Sequence, residues 1–150
     1  MRVVIQRVSE ASVRIQGETT AEIRRGLLIL LGIEENDKQE DADWLVQKIF
    51  GMRIFADAED KMNLDLGQIE GDVLVVSQFT LHALTKKGNR PSFIRAARPE
   101  QAIPLYEYFI RTMEQQIGRK IQTGTFGAMM DVALINDGPV TILMDTANKE

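Results

Sequence analysis

Ser77-Gln78-Phe79-Thr80-Leu81 follows directly on the apolar run Val73–Val76, and polar residues leaving a buried strand stand where a sheet commonly carries a site. Hydroxyls and free backbone N–H groups in such a segment can surround a carbonyl and hold the oxyanion that develops on it. The same letters also suit a strand end that merely becomes exposed, with Ser77 and Thr80 bonded to local backbone. A second candidate is Asn136-Asp137-Gly138-Pro139. Between apolar runs at 131–135 and 140–145, Asp-Gly spells a hairpin turn, with Pro139 opening the next strand. His82 is the only histidine, so a Ser-His-Asp relay would have to use that one imidazole. If 77–82 is extended, Thr80 and His82 share a face about 6.6 Å apart, within reach of a nucleophile–base pair. The alternative is a surface imidazole facing a nucleic acid. Other catalytic equipment is missing. There is no cysteine, no histidine cluster for a metal, and neither GxxxxGK[ST] nor GxGxxG. The carboxylates of Glu34, Glu35, Asp37, Glu40, Asp41 and Asp43 lie in helix-like or turn contexts, where caps and solvated faces are their usual roles. An enzyme so equipped would work largely without a side-chain general base.

The elements that must hold these segments follow from apolar spacing. Residues 2–8 and 11–16 read as strands, with Val13 and Ile15 alternating against Ser12, Arg14 and Gln16. Gly17-Glu18-Thr19 suits a turn. The continuous run 27–33 predicts a central strand buried on both faces. Asp37 reads as the N-cap of a helix that carries Ala42, Leu45, Val46 and Ile49 and ends near Gly51. Residues 53–55 and 63–70 are polar-interrupted, a hairpin or loops. Asp72–Ser77 is a second buried strand. Pro99 suits the first turn of a helix with Ala102, Tyr106, Phe109, Met113 and Ile117 on one face and Gly118 as its C-cap. Residues 121–126, 131–135 and 140–145 read as three closing strands. This order predicts a mixed, strand-rich α/β fold: a strongly twisted, partly barrel-like sheet with two main helices packed on it. With no repeat, low-complexity tract or linker, the 150 residues read as a single domain, 1–150.

Apolar residues make up 44% and charged residues 27% of the chain, which excludes a disordered or fibrous protein. The absence of cysteine fits a reducing compartment. The opening residues carry charges every few positions, unlike a signal peptide, and the run Leu27–Leu31 is far too short to span a bilayer. A soluble intracellular protein is expected. The net charge of −4 disfavours a general nucleic-acid binder. The distribution differs from the sum: Val73–Pro99 has no acidic residue but contains Lys86, Lys87, Arg90, Arg95 and Arg98. That stretch is either a solvated loop or a surface for phosphates.

The segments SQFTL and NDGPVT together resemble the two signatures of the D-aminoacyl-tRNA deacylases. The resemblance extends to MRVVIQRVSEASV, GLLILLGI, KKGNRPSF and QTGTFGAMMDVALINDGPVT, in the family's order and over essentially the whole chain. Phe79 within SQFTL and Pro139 after Gly138 set it apart from the related deacylases with PQATL and a Gly-Thr pair. The resemblance implies a cytoplasmic homodimer that acts on aminoacyl-tRNA, with no cofactor, metal or membrane. It would hydrolyse the ester joining a D-amino acid or glycine to the terminal adenosine. Gly138 and Pro139, across a cis bond, would reach the partner subunit's site, where main-chain carbonyls meet the α-amino group and leave no room for an L side chain. Ser77, Gln78, Phe79 and Thr80 would line the other wall, with the Phe79 N–H as the main oxyanion donor, worth about 3 kcal/mol. Met129 would line the pocket, and the ribose 2′-OH would help activate water. His82 is not a residue the family is expected to require. The rival readings are a tRNA-binding module without catalysis and a generic esterase using Thr80 and His82.

Overall fold

Alternating burial at the start of the chain produces one strand where two were expected. In the computed structural model, which describes residues 1–150, β1 runs unbroken over Arg2–Ile15. It stays continuous because it changes partner. Its first half pairs antiparallel with β3 (Gly26–Gly32) and its second half with β2 (Glu18–Ile23), around exposed Ser9 and Glu10. The β1–β2 turn is Gln16-Gly17, both at positive φ, so it opens one residue before the expected position.

β3 is central, as its apolar run predicts. It pairs with β1 on one side and, in parallel, with β6 (Asp72–Ser77) on the other. The side chains alternate. Leu27, Ile29 and Leu31 join Val73 and Val75 in the larger core beneath the helices, while Leu28 joins Leu74 and Val76 in a smaller cluster on the opposite face. Both faces are dry, so no polar position interrupts the run.

Helices α1 (Gln39–Phe50) and α2 (Pro99–Ile117) cover the larger core. Ala42, Leu45, Val46 and Ile49 of α1, and Ala102, Tyr106, Phe109 and Met113 of α2, are buried, whereas Ile117 is only half-buried. The Tyr106 hydroxyl donates to the Val75 carbonyl at 3.2 Å, and Tyr108 donates to Asp43 at 2.8 Å, tying α2 to β6 and to α1. Pro99 opens α2 and Gly118, at φ +81°, closes it, as expected. The N-cap of α1 departs from expectation. It is Lys38, whose N–H donates to Asp41 at 2.8 Å. Asp37 is drawn elsewhere: its buried carboxylate accepts from the α-ammonium of Met1 and, at 2.7 Å, from the Glu34 N–H. Burial raises the Asp37 carboxyl above its usual range despite those two donors.

The closing strands also differ. Only Gln122–Thr123 of the expected strand 121–126 pairs, as β7, parallel to β6. The expected strands 131–135 and 140–145 are one strand, β8 (Asp131–Asp145), antiparallel to β1 over its length. Phe55–Ala56 and Met62–Leu64, β4 and β5, form a separate two-stranded hairpin. The main sheet runs β2-β1-β3-β6-β7 with β8 on β1, and it curls until β2 approaches β6 and β7. The fold is therefore mixed α/β, strand-rich and barrel-like with two helices, as the sequence implied. No helix is long and apolar enough to cross a membrane.

Candidate active site

Ser77 ends β6 beside Leu31, and the next amide, Gln78 N–H, still donates to the Leu31 carbonyl at 2.8 Å. The chain then leaves the sheet in a 3-10 turn, Phe79–His82. Gly32 makes this exit possible: a Cβ there would lie 3.0 Å from the Gln78 carbonyl and 3.0 Å from Leu81 Cβ. The Arg2 guanidinium donates to the Leu81 carbonyl at 3.0 Å while its Nε bonds Asp145 at 2.7 Å, so β1 and β8 jointly hold the turn. For the Asp145 carboxyl, burial acts upward, but bonds from Arg2 and the Ala147 N–H outweigh it and leave it below the usual carboxylate range.

The turn presents main chain and exposed side chains. The Phe79 and Thr80 amides lie in its first turn, where N–H groups lack intrahelical partners. Phe79 is 56% exposed, and its ring meets Phe93 edge-on at 5.1 Å between centroids. The Gln78 amide donates to Thr80 Oγ1 at 2.5 Å, with Ser77 and Gln78 half-buried.

His82 corrects two expectations. Residues 79–82 are not extended, so Thr80 and His82 do not share a strand face. Nor is the imidazole on the surface, since it is 1% exposed beneath the turn. Its Nδ1 faces Glu34 at 3.9 Å, its Cδ2 lies against Gly32, and Nε2 has no hydrogen-bond partner. Thr80 and His82 therefore form no hydrogen-bonded pair.

The second segment is a bulge inside β8 rather than a hairpin turn. The register with β1 shifts between Gln6 and Val8, opposite Asn136–Thr141. The Asn136 side chain closes the bulge, accepting from Val140 N–H and donating to Thr141 Oγ1, both at 2.8 Å. Arg7 holds it from β1: Nε donates to the Asp137 carbonyl at 2.8 Å and Nη1 to the Ile54 carbonyl at 2.6 Å. Gly138 has φ +137°, and a Cβ there would fall 2.8 Å from Arg7 Nη2. The Gly138–Pro139 peptide bond is cis, and both residues are exposed. Sequence reasoning passed over Arg7. The available signal was its position: Val3 and Ile5 alternate into the core, and Arg7 occupies the next inward place, its side chain 12% exposed.

The two segments lie apart within one chain. Ser77 pairs Leu31, Leu31 pairs Val3, and Val3 pairs Met144. Pro139 lies in the bulge between Thr141, opposite Gln6, and Asn136, opposite Val8, so by strand geometry it sits roughly 13 Å along and about 14 Å across the sheet from Ser77. Met129, just before β8, is 91% exposed and belongs to no core. A cleft of about 690 Å³ lies between Glu10, Glu22, Asp72 and Ile135 and includes none of the candidate residues. No group of three or more histidines and carboxylates is disposed to hold a metal ion.

A curled mixed sheet with a polar turn leaving its central parallel pair and a bulge on its outer strand has known counterparts. A family model described as D-Tyr-tRNA(Tyr) deacylase matches residues 4–145. The chain is 61% identical to a D-aminoacyl-tRNA deacylase of Flavobacterium johnsoniae and 62% identical to one of Cytophaga hutchinsonii, each over the full length of both chains. It also superimposes on the solved structure of a c-Myc DNA Unwinding Element Binding Protein with a TM-score of 0.91 and 39% identity, covering 97% of this chain and 99% of that one. The chain belongs to the D-Tyr-tRNA(Tyr) deacylase family. It is accordingly a hydrolase.

Proposed function

We propose that this protein is a single-domain, cytoplasmic D-aminoacyl-tRNA deacylase that removes D-amino acids and glycine from tRNA and spares L-aminoacyl esters. What carries this reading is that both segments matching the family are displayed to solvent by fixed backbone: the amides of Phe79 and Thr80 by a 3-10 turn, and Gly138-Pro139 by a clamped bulge. The ester carbonyl sits against the turn, where the Phe79 N–H stabilises the oxyanion as water adds, and Ser77, Gln78 and Thr80 complete that wall. The ribose 2′-OH of the substrate assists the water. A rigid main-chain wall suits discrimination between hands, because unlike a flexible side chain it does not move aside.

Gly138 and Pro139 serve the site of a second copy. The separation of the two segments within one chain supports a homodimer, as do Ile135 and Leu143, which β8 leaves 54% and 66% exposed. Met129, barer still at 91% exposed, lines the pocket once the copies meet. The buried His82 removes the motive for a Thr80–His82 esterase.

The test is to offer purified protein D-tyrosyl-tRNA and a small activated acyl ester. Release of D-tyrosine with the small ester left intact is expected. Binding of tRNA without ester loss would reduce the protein to a binding module. Cleavage of the small ester, abolished in Thr80→Ala and His82→Ala, would make it a generic esterase.

A further inference from the structure

The acid-free stretch 73–99 folds back on the candidate site as an anchored loop. Leu84 and Ser92 exchange two backbone hydrogen bonds of 2.8 and 3.0 Å, closing residues 85–91 into a projecting tip. Phe93 then packs on Phe79, Ala96 bridges Glu34, and the Ala97 N–H donates to the Ile33 carbonyl at 2.9 Å. The loop therefore keeps a fixed relation to the turn that carries the Phe79 and Thr80 amides. Lys86, Lys87 and Arg90 lie on the tip, with Arg95 and Arg98 on its return, and all five are exposed. None takes part in an ion pair, whereas Arg2, Arg7 and Arg119 are each matched to an aspartate. Glu34, whose backbone bridges Ala96 on this return, has its carboxylate 3.9 Å from His82 Nδ1. Glu100, two residues beyond Arg98, is exposed and unpaired with any of the five.

Five unmatched cations held beside a site on a protein of net charge −4 form a local attractor for a polyanion. We propose that the tip of this loop holds the phosphate backbone of the tRNA adjoining the ester and supplies affinity and register rather than chemistry; this rests on the deacylase reading above. Lys86, Lys87 and Arg90 stand up to about three residues beyond the Leu84–Ser92 bridge, roughly 10 Å of extended chain. They therefore meet phosphates of the nucleotides that adjoin the ester rather than the ester itself. A terminal nucleoside ester carries no phosphate for them to hold.

The experiment compares the native chain with Lys86→Gln/Lys87→Gln/Arg90→Gln, and with Lys48→Gln/Lys120→Gln/Lys149→Gln as a control of equal charge change. Three lost phosphate contacts should flatten the dependence of log kcat/KM on log salt by about 2 to 3, at roughly 0.7–0.9 per contact. KM for D-tyrosyl-tRNA should rise tenfold or more with kcat retained, and hydrolysis of D-tyrosyl-adenosine should be unchanged. Binding of uncharged tRNA should lose the same slope, and the control triple should behave as the native chain. An unchanged salt slope and tRNA affinity in the loop variant would overturn the proposal, as would an equal loss in the control. If the native chain hydrolyses neither ester yet the loop variant shows the expected binding loss, the deacylase reading falls and the phosphate surface stands.

Discussion

Thr80 carries the one exposed hydroxyl of the turn, and its partner is the Gln78 amide at 2.5 Å rather than a base. An alcohol needs an adjacent base to become a nucleophile, and the buried imidazole of His82 does not supply one. The amides of Phe79 and Thr80 remain when the hydroxyl is removed. Thr80→Ala is therefore expected to keep D-tyrosyl-tRNA turnover within about tenfold of the native rate in single-turnover assays. A loss of about 10⁴-fold would show that the hydroxyl itself reacts.

At the scale of elements, the decisive contact is between the end of β3 and the turn. Gly32 lies under Gln78, Leu81 and His82, and a methyl group there must displace at least one of them. Gly32→Ala should thus slow deacylation at least tenfold, about 1.4 kcal/mol in barrier, by shifting the Phe79 and Thr80 amides proposed to hold the oxyanion. Retention of native kcat with a native circular dichroism spectrum would mean that the turn does not set the rate. Elements shaped by neighbours in sequence were legible in the letters. The run at 27–33 and the helical spacing of 102–113 read correctly because burial on two faces, or on one stripe, dictates composition locally. Asp37, the β8 bulge and His82 were misread for one shared reason: remote partners decide them. Met1 takes the Asp37 carboxylate, Arg7 and Asn136 carry the chain straight through Asp137-Gly138, and Gly32 gives the turn room to bury His82. The candidate segments could be named from the letters, whereas their separation within one chain follows only from strand register.

For the molecule as a whole, the Arg2–Asp145 pair joins β1 to the end of β8, and the same guanidinium holds the Leu81 carbonyl. The Asp145 carboxyl lies below its ordinary value of 3.8 in the folded protein. Its contribution to stability is therefore fully present above that value and is lost as pH falls through the lowered folded value. Urea midpoints measured from pH 7 to pH 3 should show Asp145→Asn less stable than the native chain at neutral pH, with the gap closing in acid. A gap independent of pH would assign the loss to packing instead. Assembly belongs to this scale as well. With the two segments roughly 20 Å apart in one chain by strand spacing, a monomer at micromolar concentration in sedimentation would contradict the shared site.

The central claim is stereochemical, and the most direct measurement of it is the ratio of kcat/KM for D-tyrosyl-tRNA and L-tyrosyl-tRNA with one enzyme preparation. Discrimination by a fixed main-chain wall predicts ready loss of the D ester while the L ester decays at its spontaneous rate. Equal turnover of the two hands, or of neither, would contradict it.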